Sequence, residues 1–271
     1  MAKSVILLTA CINPNGMANT ALQDAGIRKA QYLDAIDFYL KETECNIVFC
    51  ENTETDLFDE VSSPEKYTRL ESLVFCGNDY NKSRGKAYGE AKIIEYAIRH
   101  SEFIGDANCV CKITGRVKIL NINDILIRDD RKWAERATIK AHLLWRGYMN
   151  SVCYVASKDW LLKTMETCGE QLDEENGCDM SDMLYSAMLN TENVKILTCL
   201  PAIDGISGTH NMLYGNIDGG VYARCADMRL NHYGILRDVY KIRNERLNYM
   251  MTRFIWLCCA VKRKWNIWMN R

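Results

Sequence analysis

The sequence predicts an α/β fold: a mostly parallel central sheet flanked by helices, followed by a helical, basic C-terminal extension. Three observations carry this. Four continuous apolar runs, SVILLTACI (4–12), CNIVFCEN (45–52), SLVFCGND (72–79) and NCVCKITGR (108–116), each stop at turn-forming or charged residues. Strands buried on both faces read in this way, whereas half-exposed strands alternate. Stretches of helical spacing lie between them, RKAQYLDAIDFYLKET (28–43) and GKAYGEAKIIEYAIRHSEFI (85–104). The resulting order, β-α-β-β-α-β, is that of a sheet with helices on both faces.

Strand one ends at Asn13-Pro14-Asn15-Gly16, a strong turn cluster. The helix after it places Ala30, Leu33, Ile36 and Tyr39 or Leu40 on one face. Strands two and three follow at 45–52 and 72–79, and the second helix opens at a glycine before strand four. The second half is less regular. NSVCYVAS (150–157) reads as a strand, KDWLLKTMETCGEQL (158–172) and SDMLYSAMLNT (181–191) as helices, and VKILTCLPAIDGISGTHNMLYG (194–215) as a strand leading into a Gly-rich loop. This divides the chain into an α/β domain over 1–225 and an extension over 226–271.

Composition narrows the classes. The 271 residues are 48% hydrophobic and 25% charged, with a net charge of −1, which argues against a polyanion binder. Thirteen cysteines form no Cys-x-x-Cys pair, so they read as small hydrophobes in a reducing cytoplasm. The first apolar run is short for a signal peptide, and no run reaches the roughly 18–20 residues of a membrane span.

In such sheets ligands bind beyond the carboxyl ends of the strands. Those ends carry Thr9, Ala10 and Asn13 on strand one, Glu51 and Asn52 on strand two, Gly77-Asn78-Asp79 on strand three, and Lys112, Thr114 and Arg116 on strand four. Together they suggest a nucleotide pocket. Glu51 or Asn52 would bond a ribose or base, and Lys112 and Arg116 would face a diphosphate. Each is equally an ordinary loop polar or solvated charge taken singly. The loop NKSRGKAYGEA (81–91), with Gly85 and Lys86, suits either an anion on free helix amides or a simple helix cap. Gly85 and Gly89 would also admit a closely packed sugar. In the acidic stretch DEENGCDMSDML (173–184), Asp179 or Asp182 is the candidate general base, against a helix-dipole reading of the same acids. His210, in a loop of small residues, is a candidate phosphate or metal contact.

The phrases SVILLTACINP, IVFCEN, GKAYGEAKIIEYAI, CKITGR and GISGTHNMLYG, spanning residues 3–215, resemble bacterial glycosyltransferases of the type A fold found in surface-polysaccharide (capsule and O-antigen) clusters. The resemblance implies a nucleotide-sugar donor, a glycan hydroxyl as acceptor, and a base from the second half, where Asp179 and Asp182 stand. It also implies an Asp-x-Asp metal motif at strand four. This chain has none, and CKITGR stands in its place. Either Lys112 and Arg116 replace the metal as charge stabilisers, with no cofactor required, or Mn²⁺ or Mg²⁺ is held elsewhere, by Asp124, Asp129-Asp130 or His210. Arg116 is thus a catalytic candidate as well as a donor contact.

The extension is basic and aromatic, with Arg253, Lys262, Arg263, Lys264 and the tryptophans 256, 265 and 268. It suits a membrane interface, placing the protein on the inner face of the plasma membrane near a lipid-linked acceptor, or else a packing or homo-oligomer helix. Rival readings are a nucleotidyltransferase and a non-catalytic partner in polysaccharide assembly. Nucleic acid is not an expected ligand.

Overall fold

The computed structural model describes residues 4–127, 138–145, 148–196, 201–209 and 212–214, and toward the C-terminus 244, 246–247, 249–251, 253–254 and 257. The first half is built from β1 (Ser4–Ala10), α1 (Ala25–Glu42), β2 (Asn46–Glu51), α2 (Lys66–Arg69), β3 (Leu70–Val74), α3 (Lys86–His100), α4 (Glu102–Gly105) and β4 (Cys109–Thr114). After it come β5 (Lys118–Ile119), α5 (Ile122–Ile127), β6 (Ile139–Trp145), β7 (Tyr148–Ala156), α6 (Lys158–Cys168), α7 (Met180–Leu189), β8 (Val194–Ile196) and β9 (Ile203–Asp204). The expected boundary near residue 226 lies outside the described residues.

Seven strands form one sheet in the order β3-β2-β1-β4-β7-β6-β8. Strands β1, β2, β3 and β4 pair in parallel, as do β6 and β8. β7 runs against both its neighbours, so it alone reverses the direction of the sheet. The mostly parallel central sheet with helices on both faces is present.

β1 shows why its sequence is a continuous apolar run. Val5 and Leu7 face the core shared with α3, α6 and α7, while Ile6 and Leu8 face the core shared with α1. Both faces are dry, so every position is apolar until Thr9. Each such side chain contributes about 1.5–3 kcal/mol on burial.

Helix boundaries follow local chemistry. The Asp24 side chain accepts from the Ile27 N–H at 2.8 Å and starts α1, which ends where the Thr43 hydroxyl donates back to the Tyr39 carbonyl at 2.8 Å. Ser157 caps α6, and Asp179 caps α7 by accepting from the Asp182 N–H at 2.9 Å.

Two features position the cleft. Tyr39 of α1 donates to the Val117 carbonyl at 3.0 Å and accepts from the Ile119 N–H at 2.9 Å, which clamps the chain leaving β4 onto α1. The antiparallel pair β5–β9 then returns residues 205–209 and 212–214 to the end of β4, where the Ile206 carbonyl accepts from Arg116. The expected third strand over 72–79 is shorter and earlier, because the chain beyond Val74 leaves the ladder: Phe75 and Gly77 donate to the carbonyls of Glu51 and Asn52 at 3.0 and 3.1 Å.

Candidate active site

The described residues enclose a cleft of about 240 Å³ over the carboxyl ends of β1, β2 and β4. Thr9, Ala10, Asn52, Thr114 and Arg116 line it from the strand ends. Lys86 and Glu90 of α3 and Asp179 at the start of α7 line it from the helices. Of the residues expected there, Asn13, Glu51, Gly85, Lys112 and Asp182 are not part of its wall. His210, Asp129 and Asp130 lie outside the described residues.

The glycine between the two cations of CKITGR answers to backbone packing. A Cβ on Gly115 would stand 2.8 Å from the Thr9 carbonyl oxygen, which also accepts the Gly115 N–H at 3.0 Å. The ends of β1 and β4 are therefore drawn together at the cleft floor, and the two cations part.

Lys112 is still inside the strand, on the α3 face, and is wholly buried. Its ammonium pairs with the Glu90 carboxylate and donates to the Ser151 carbonyl at 2.7 Å. This corrects its expected position: it stands behind the cleft wall, neutralising an acid. Arg116 follows the turn and enters the cleft, 8% exposed, its Nη1 donating to Gln31 Oε1 at 3.0 Å and to the Ile206 carbonyl at 3.3 Å.

A residue that the sequence reading passed over stands beside it. Arg28, on the first turn of α1, is 6% exposed and lines the same cleft. Its Nε donates to the Cys11 carbonyl at 2.8 Å and its Nη1 to the Leu22 carbonyl at 3.2 Å. Neither guanidinium pairs with a carboxylate among the described residues. Burial pushes the Arg116 pKa down, Arg28 pushes it the same way, and Tyr32 and Tyr214 oppose them. An arginine stays protonated through such shifts, so the cleft holds two buried positive charges. Burial also pushes the neighbouring Cys11 thiol up to about 11, leaving it protonated near neutral pH and a poor nucleophile.

Glu51 is buried and fully engaged. It accepts four bonds, from the N–H groups of Ile12, Thr53 and Thr55 at 2.9, 2.7 and 3.0 Å and from the Thr53 hydroxyl, tying together the loops that leave β1 and β2. Such a carboxylate has no lone pair to spare for a ribose, which removes that role. Asn52 is the opposite case. It is 1% exposed, lines the cleft, and neither Oδ1 nor Nδ2 has a hydrogen-bond partner. A buried orphan amide costs about 1–3 kcal/mol unless something pairs with it.

The glycines of the α3 loop pack against protein. Gly85 adopts φ +81°, and a Cβ there would stand 2.4 Å from Glu174 Oε2; one on Gly89 would meet the Tyr80 hydroxyl at 2.4 Å. Gly85→Ala is expected to destabilise the protein by about 1–2 kcal/mol, read as a fall in the urea midpoint. An unchanged midpoint would show that this turn relaxes freely.

Three carboxylates reach the cleft: Glu90 with Lys112, Glu174 with Lys86 at 3.2 Å, and the helix cap Asp179. No group of three His, Cys, Asp or Glu among the described residues could hold a metal ion, and Asp124 lies off the cleft on α5. Two of these carboxylates pair with lysines, and Asp179 alone has no lysine partner, so the described part of the cleft does not bring together the several donors a divalent cation takes.

Asp182 sits one turn into α7. Burial raises its pKa, and the Asp179 charge adds to the rise. Its contribution to stability is therefore fully present below the ordinary aspartate pKa and is lost as pH rises through the higher folded value. Asp182→Asn is expected to remove that decline, seen as a urea midpoint that gains on the wild type as pH rises from about 3 to 6. A profile identical to the wild type would contradict the assignment.

No protein-family model and no curated protein sequence matches the chain. Solved structures overlap it at low identity. One is a Desulfovibrio desulfuricans G20 protein put forward as a nucleotide-diphospho-sugar transferase (12% identity, TM-score 0.43, 73% of this chain and 80% of that one). Another is a mannosyltransferase from Pyrobaculum calidifontis in complex with GDP-mannose and Mn²⁺ (12%, 0.44, 90% and 65%). A third is an active-site mutant of LgtC (9%, 0.46, 71% and 72%). Likeness at this level carries no inference about activity. The class that the chain itself defines is an α/β protein with a polar cleft, holding two buried guanidiniums, at the carboxyl edge of a mostly parallel sheet.

Proposed function

We propose that the protein is a type A-like glycosyltransferase that moves a sugar from a nucleotide-sugar donor to a hydroxyl of a glycan acceptor. The observation that carries this is the pair of buried guanidiniums, Arg28 and Arg116, facing one cleft with no carboxylate ion pair among the described residues. Two buried positive charges side by side are costly, and an anion of more than one charge offsets that cost. A diphosphate has that charge, and Arg116 presents a planar fork to it. The orphan amide of Asn52 offers one donor and one acceptor to the edge of the base.

On this reading Asp179 is the general base. Its Oδ1 is held by the Asp182 N–H, which leaves Oδ2 for the acceptor proton. The acceptor oxygen bonds the anomeric carbon as the bond from that carbon to the diphosphate oxygen breaks. The electron pair leaves with the nucleoside diphosphate, and Arg28 and Arg116 stabilise the charge that builds there. A lipid-linked precursor of a bacterial surface polysaccharide, at the inner face of the plasma membrane, is the acceptor that the sequence resemblance favours.

A thermal-shift panel of UDP, GDP, CDP and CMP and their common sugar conjugates, each with and without Mn²⁺ or Mg²⁺, tests this. One nucleoside diphosphate is expected to stabilise the protein without metal, by about 2.7 kcal/mol at a hundredfold excess over Kd. No shift with any nucleotide would overturn the transferase reading and favour a non-catalytic partner.

A further inference from the structure

The two guanidiniums and Asp179 have parts in the proposed transfer, and the Glu90–Lys112 pair has none. Lys112 sits in the β4 ladder, opposite Leu7 of β1 and Tyr154 of β7, and is 0% exposed. Replacing a buried ion pair by apolar side chains of similar volume is often neutral or stabilising, so folding alone does not account for a lysine there. What the pair does is fix a carboxylate in the cleft wall. The Lys112 ammonium and the Thr9 hydroxyl, the second at 2.9 Å, both engage Oε1 of Glu90. Lys112 is itself held by the Ser151 carbonyl at 2.7 Å. Glu90 lines the cleft with 19% of its side chain exposed, and neither partner engages Oε2.

The surroundings say what chemistry suits that oxygen. Glu90 shares a face of α3 with Lys86, Ala87 and Ile93, which also line the cleft. Two hydroxyls belong to the same wall, Ser151 and Ser181, the second donating to the first at 3.1 Å. Ser151 accepts that bond and keeps its own proton to donate. A phosphate at Glu90 would set anion against anion, and an apolar group would leave the carboxylate unpaired. Lys112 already neutralises Glu90, so an ammonium is not called for. A hydroxyl donor satisfies Oε2 through a charge-assisted bond and adds no charge. Several hydroxyls and no charge are the chemistry of a sugar.

We propose that Glu90 selects the sugar of the donor, with Oε2 accepting from a hydroxyl of the transferred sugar, and that Lys112 and Thr9 are the positioning residues that hold the carboxylate for it. The proposal rests on the transferase reading, because the sugar is that of its donor.

Calorimetric titration compares the nucleoside diphosphate that gives the largest thermal shift, its best-binding sugar conjugate, and singly deoxygenated forms of that conjugate. The wild type is expected to bind one of the deoxygenated forms about 10–100-fold more weakly than the full sugar, as a lost bond to a charged group predicts. Glu90→Gln should weaken the full conjugate by about tenfold, leave the nucleoside diphosphate unchanged, and lose the discrimination against that deoxygenated form. Lys112→Met/Glu90→Gln, in which no buried charge is left alone, should behave in the same way, which separates loss of the carboxylate from loss of the fold. Equal weakening of diphosphate and conjugate, a wild type indifferent to every deoxygenation, or discrimination that survives both variants would overturn the role of Glu90 and leave the transferase reading standing. Failure of every nucleoside diphosphate and conjugate to bind the wild type would overturn both.

Discussion

Arg116→Ala is expected to lower kcat/KM for sugar transfer by about 10²–10³-fold, with most of the loss in kcat. On the transferase reading, charge on the leaving diphosphate grows between the donor complex and the transition state, so a guanidinium aimed at it contributes more in the second than in the first. The side chain is 8% exposed and fixed from one nitrogen by Gln31 and the Ile206 carbonyl, so its orientation is set before the donor arrives. Arg116→Lys should recover only part of the rate, because an ammonium lacks the planar fork. Steady-state kinetics on the donor distinguish the roles. A rise in KM with kcat unchanged would reduce Arg116 to an anchor.

Lys112→Met is expected to cost about 3 kcal/mol of folding stability, at the lower end of the range for breaking a buried ion pair. The substitution leaves the Glu90 carboxylate, 19% exposed, without the cation that neutralises it. The remaining hydrogen bond to Glu90, from the Thr9 hydroxyl at 2.9 Å, does not replace a charge. The double variant Lys112→Met/Glu90→Gln should regain most of the loss, since no buried charge is then left alone. Urea unfolding of the two singles and the double measures the coupling. A double variant as unstable as Lys112→Met would mean that packing around the lysine stem, and not the charge, is what is lost.

β3, a half-exposed edge strand containing Glu71 and Ser72, was read two residues late, but β1, β2 and β4 were legible, being buried on both faces and carrying little but apolar residues. β6 was not. Ile139–Trp145 mixes Lys140 and His142 with aliphatic residues, and its pairing to β7 shifts register twice, so no regular period marks it. Within the cleft, the reading that joined Lys112 to Arg116 failed at the turn, because β4 ends at Thr114 and the alternation that would put both on one face ends with it. Position 112 lies on the α3 face of a strand still in its ladder, whereas position 116 follows the tight approach at Gly115. Glu90 did leave a trace, as the acid on the cleft face of α3 alongside Lys86 and Ala87.

Arg28 had a signal too. It falls on the buried side of α1 with Tyr32, Ala35, Ile36 and Tyr39, where a cation is out of place unless it has a purpose. What the sequence could not show is that α1 begins beside the end of β4. That proximity depends on the Tyr39 clamp and on the return of Ile206 to Arg116, which are contacts between distant segments. Asn52 was one of two alternatives at the end of β2. Only the packing of the β1 and β2 loops around Glu51 separated them.

The central claim is that two buried arginines hold a diphosphate without a metal. Calorimetric titration in EDTA tests it most directly, comparing the nucleoside diphosphate that gives the largest thermal shift with its parent nucleoside. The diphosphate should bind at least about a hundredfold more tightly, with Arg28→Met/Arg116→Met removing that margin. Equal binding of the two, or diphosphate binding that appears only when Mn²⁺ or Mg²⁺ is restored, would contradict the account.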